Sequence, residues 1–87
     1  EVSAEVAKYS RDLAVKVNAA VASLGLKNRG VFQNDFAVNR LTNLPSVLVE
    51  VGFLTNLEEF KLISQDSFQE KVAEKITEAV LEFLKDY

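Results

Sequence analysis

Apolar and polar positions along this chain follow two rhythms, one near 3.6 residues and one of two, and each predicts its own elements. Between about Ser3 and Leu24 the apolar residues Val6, Leu13, Val17, Val21 and Leu24 recur at spacings of three, four and seven. That recurrence gathers them on one face of an amphipathic helix. Ala4, Ala7, Ala14, Ala19, Ala20 and Ala22 reinforce the prediction, because alanine has no side-chain entropy to lose in a helix. Ser3 suits the N-cap and Gly25 the stop. A second helical rhythm runs through Phe68, Val72, Ile76, Val80, Phe83 and Leu84. It predicts a long helix from Asp66, with Asp66 as the cap and Gln69 reaching back in a capping box. A shorter helix is expected over Leu57 to Ile63. Asn56 caps it, and Glu58 and Glu59 lie near its positive end.

The rhythm of two appears once with strength, in Ser46 to Val51, directly after Pro45. Val47, Val49 and Val51 take one face, while Ser46, Leu48 and Glu50 take the other. Apolar side chains on both faces predict an interior strand with helices on each side. Asp35 to Val38 is a shorter candidate strand, and Leu26 to Gly30 reads as a loop. Val31, Phe32, Phe36 and Val38 need burial, so the middle of the chain is not expected to be a linker. The expected fold class is therefore α/β, with helices flanking a mostly parallel twisted sheet in three αβα layers. An interior strand must pair on both edges, and so few strands leave that sheet incomplete. The missing strands are expected from an absent N-terminal segment or from a partner chain.

Composition narrows the chemistry. A formal net charge of −3 and the lack of a basic stripe argue against a nucleic-acid partner. No apolar run approaches the length of a membrane span, and the acidic start from Glu1 to Arg11 is not a signal peptide. With no Cys there is no disulfide and no thiol nucleophile, and with no His there is no imidazole ligand or base. No zinc site is expected from this chain alone. The absence of Met predicts a chain that has been trimmed, matured or cut from something longer.

One residue stands out against that background. Glu50 is the only charge within the apolar strand, at its C-terminal end and two residues before Gly52. Ligands of open α/β sheets bind outside the carboxyl ends of strands, so the address suits a catalytic group. A carboxylate there is expected to be partly desolvated and suited to proton transfer. An equally weighted reading makes Glu50 structural, either paired with a Lys or Arg or placed on an exposed edge.

The stretch from Asn39 to Asn56 resembles a block in the zinc-dependent N-acetylmuramoyl-L-alanine amidases of the type-3 family. The block carries Arg40, Thr42, Pro45–Ser46–Val47–Leu48–Val49–Glu50, Gly52–Phe53–Leu54 and Thr55–Asn56. Similarity extends upstream through Ser10 to Leu24, Asn28 to Val31 and Asp35 to Val38. Downstream it runs through Asn56 to Glu59 and Phe68 to Ala73. Asn39 departs from the aliphatic residue usual before the Arg. What the block resembles is the second half of the catalytic domain, so residues 1–87 are expected to be that C-terminal half, without the metal-binding half.

The resemblance implies hydrolysis of the amide between N-acetylmuramic acid and the L-alanine of the peptidoglycan stem peptide, outside the cytoplasm. It implies a zinc ion held by two His and a Glu of the missing half. A separate Glu, mapping onto Glu50, serves as general base and then acid. Arg40 maps near the cleft as a candidate substrate-binding group, with a structural ion pair as its competing reading. Asn56, Gly52 and Phe53 are expected to cap, turn and pack. Lys71, Glu74, Lys75 and Glu78 are expected to form a solvated face. The chain alone is expected to be inactive. Two other readings stay open: a non-catalytic binding or regulatory module, and a helical oligomer in which strands of two copies pair.

Overall fold

A computed structural model describes residues 3–26, 28, 30–31, 44–52 and 55–87. Its described elements are three helices, α1 (Ala4–Ala22), α2 (Leu57–Ile63) and α3 (Asp66–Asp86). Helix α1 begins where the sequence places it, with the Ser3 hydroxyl accepting the Val6 N–H at 3.2 Å. It ends at Ala22 with Ser23 as the C-cap, and Gly25 follows at φ +92°, a conformation that costs a glycine little. Leu26, expected in a loop, returns into the core at 6% exposure.

Helix α2 has the expected bounds, and the Asn56 side chain accepts the Glu59 N–H at 3.1 Å. Replacing Asn56 with Ala removes that acceptor and is expected to cost about 1 kcal/mol. A denaturant titration against the unaltered protein measures it.

Helix α3 starts differently from the expected capping box. Gln65 holds the cap position without a side-chain bond, and Asp66 is the first helical residue. There its carboxylate faces the positive end of the helix dipole. Gln69 donates instead to the Ile63 carbonyl at 2.8 Å, tying α3 to the end of α2.

The core lies where α1 meets α3. Val17, Val21, Leu26, Phe68, Val72 and Ala79 form it, with Leu13, Leu24, Val49, Val51, Leu62, Ile63 and Ile76 packed around them. The inward face of α3 is therefore Phe68, Val72, Ala79 and Phe83, while Leu84, expected on that face, is 52% exposed. Phe83 instead joins an aromatic trio near the C-terminal end of α3. Tyr9 meets Phe83 and Tyr87 edge-on, with centroids 6.3 and 4.9 Å away, and Phe83 stacks on Tyr87 at 5.3 Å. On the solvated face, Lys75 pairs with Glu78 at 3.6 Å.

The structure corrects the expected α/β architecture, with helices flanking a mostly parallel twisted sheet. The described residues are predominantly helical and contain no strand. Residues 45–52 are neither helix nor strand, because a strand exists only through hydrogen bonds to a neighbour and none of the described segments supplies one. The second expected strand, Asp35 to Val38, lies outside the described residues.

Candidate functional site

Although residues 45–52 form no ladder, the rhythm of two survives in how they are buried. Val49 and Val51 pack against the core, whereas Leu48 is 46% exposed and Glu50 is exposed. Val49 and Val51 anchor the segment, while Leu48 and Glu50 between them face outward. At its start, the Ser46 N–H donates to the Ser10 hydroxyl of α1 at 3.0 Å. Glu50 thus stands on the open side of a segment held down by its neighbours, and its carboxylate is accessible to water and to a solute. The desolvation expected from an interior strand is not supplied by the described surroundings.

Beneath the segment lies an open, mainly apolar cleft of about 260 Å³, lined by Val51, Ile63, Phe68, Gln69 and Val72. Past Val51 the chain reaches Gly52, and here the structure adds a residue that the sequence reading assigned only to the helix dipole. Glu59 is 5% exposed, and its carboxylate lies against Gly52. A Cβ built on Gly52 would meet Glu59 Oε1 at 3.1 Å. The signal was present: Glu59, Leu62 and Ile63 stand at i, i+3 and i+4, so helical spacing puts Glu59 on the inward face of α2 with two core residues.

Arg40, the second candidate site residue, lies outside the described residues. Asn56 is accounted for by its cap. Among the described residues, no group of three His, Cys, Asp or Glu is placed to hold a metal ion. No helix among them is long and apolar enough to cross a membrane. What the described site offers is one accessible carboxylate on an anchored segment, a group able to exchange a proton with a bound molecule.

Comparison with known proteins connects this arrangement to a family. The sequence model of the N-acetylmuramoyl-L-alanine amidases matches residues 2–82. The uncharacterized protein YqiI of Bacillus subtilis is 36% identical over 72 residues, which is 82% of this chain and 35% of YqiI. The endolysin of Bacillus phage SPP1 is 39% identical over 64 residues, 74% of this chain and 24% of the endolysin. The N-acetylmuramoyl-L-alanine amidase AmiA of Escherichia coli is 40% identical over 58 residues, 67% of this chain and 20% of AmiA. The chain therefore spans about a third or less of the length of these relatives. No solved structure matches it.

Proposed function

Because the chain belongs to the N-acetylmuramoyl-L-alanine amidase family, we propose that it forms the C-terminal half of a peptidoglycan amidase domain and contributes Glu50 as the proton-transfer group. The observation that carries this reading is the place of Glu50, exposed on a segment whose Val49 and Val51 are packed into the core. In this reading a water oxygen bonds to the carbonyl carbon of the lactyl group of N-acetylmuramic acid, and Glu50 takes the water's proton. The C–N bond then breaks, and Glu50 returns the proton to the departing L-alanine nitrogen, so the carboxylate ends as it began. Arg40 is assigned to hold a carboxylate or the polarised oxygen of the substrate, where its planar donors bind in two-pronged fashion.

The zinc ion implied by the resemblance does not fit the residues of this chain. There is no His and no Cys, and the described carboxylates form no cluster. We place its ligands outside residues 1–87, in the larger remainder that the longer relatives have. Action outside the cytoplasm, on the cell wall, follows from the substrate.

The test compares the parent protein with the 87-residue chain on purified peptidoglycan supplied with zinc, reading new N-terminal L-alanine amines and new reducing sugar ends. The expected result is L-alanine amines from the parent, none from the chain alone, and reducing ends from neither. Release by the isolated chain, or no stem peptide released by the parent, overturns the reading.

A further inference from the structure

The charged side chain buried among the described residues is Glu59, not the exposed Glu50. We propose that Glu59 is a positioning residue: its carboxylate, packed against Gly52, fixes the end of the segment that presents Glu50. The inference rests on the role proposed for Glu50 and deepens it.

The segment is held at three places. At its start the Ser10 hydroxyl accepts the Ser46 N–H at 3.0 Å. Along its length Val49 and Val51 are packed against the core. At its end Gly52 meets the side chain of Glu59, whose Oε1, Cδ and Cβ would lie 3.1, 3.5 and 3.7 Å from a Cβ added to the glycine. An alanine at this position would press on the carboxylate, which would have to give by a few tenths of an ångström.

Glu59 is itself well placed to act as a stop. Its backbone N–H is bound by the Asn56 side chain at 3.1 Å, and α2, which carries it, is tied to α3 through the bond from Gln69 to Ile63. Its side chain is buried, at 5% exposure. Only Val51 separates Glu50 from Gly52, so a shift at the glycine is passed to the general base through a short stretch of backbone.

The experiment uses the parent protein and measures kcat, KM and thermal unfolding for Glu59→Ala, Glu59→Gln, Gly52→Ala and the double variant Gly52→Ala/Glu59→Ala. Glu50→Gln serves as the reference. Because misplacement of a reacting group by about 1 Å can cost on the order of 100-fold, Glu59→Ala is expected to lower kcat by about 10- to 100-fold. KM is expected to stay within about twofold of its starting value under that reading of a positioning role. Glu59→Gln preserves the shape and is expected to recover most of kcat. Gly52→Ala is expected to lower kcat on its own. The double variant is expected to be no worse than the poorer single one, because the added methyl enters space that the shortened side chain has left.

Wild-type kcat in Glu59→Ala, or fully additive losses in the double variant, overturns the proposal. So does a loss of kcat that disappears at a temperature where every variant is folded. If Glu59→Ala does not fold, Glu59→Gln and Gly52→Ala decide: near-normal kcat in the first with reduced kcat in the second supports the proposal, and any other pair overturns it. A dead Glu50→Gln beside a normal Glu59→Ala removes only this inference, whereas an active Glu50→Gln removes the proposed function itself.

Discussion

Glu50→Gln in the parent amidase is expected to lower turnover by about 100- to 10,000-fold, the usual contribution of a positioned proton-transfer group. Glutamine keeps nearly the volume and the outward placement of the glutamate. Glu50 is exposed, so the exchange removes no core contact, and its effect on stability is expected within about 0.5 kcal/mol. What is lost is the oxygen proposed to accept the water's proton and later return it. The defect therefore belongs in kcat, with KM for peptidoglycan little changed, since an interaction made in the transition state alone does not tighten the ground state. Zinc content is also expected to match the unaltered protein, because Glu50 is assigned no ligand role. Steady-state release of L-alanine amines, with metal analysis and a melting curve on the same preparations, separates these effects. Retained turnover with normal folding removes Glu50 from its role.

The helices were legible in the sequence because their signals are local. Ser3 and Asn56 cap where a short polar side chain precedes an amphipathic stretch, and both make the predicted bonds to a backbone N–H three residues on. The start of α3 was misread because Asp66 can serve equally as a cap or as a first-turn acid. Which it does depends on Gln69, whose amide is drawn to the Ile63 carbonyl by the packing of α2 on α3.

The strand was misread for a deeper reason. Val47, Val49 and Val51 have strong β-propensity, but propensity reports fit to a pleated surface and makes no ladder without a neighbour. The alternation put Val49 and Val51 on one face, and both are packed against the core, but it also expected cover over Leu48 and Glu50, and both are exposed. The shared face of Val49 and Val51 was readable, whereas the exposure of Glu50 was not. The inward side of Glu59 could be read from its spacing to Leu62 and Ile63, but its contact with Gly52 could not, since that depends on how α2 lies across the end of the segment.

The second large effect is expected in the core, and it separates two residues that periodicity puts on one face. Phe68 is 7% exposed, packs with Val17, Val21, Leu26, Val72 and Ala79, and lines the cleft under Val51. Leu84, on the same predicted stripe, is 52% exposed. Truncating a buried Phe to Ala costs about 3–5 kcal/mol through lost transfer energy and the cavity left behind. The open cleft beside Phe68 lets neighbours relax into the space, which favours the lower end, about 3 kcal/mol by the same measure. Against a total of roughly 5–15 kcal/mol for a typical domain, that is a large loss. Leu84→Ala, on an exposed surface, is expected to change stability by less than about 1 kcal/mol. Denaturant titrations of both variants in the parent protein test the contrast. Equal costs would mean that α3 is rotated from the face described here, with Leu84 turned inward. A large cost for Phe68 alone supports the packing that holds Val51, and through it the segment bearing Glu50.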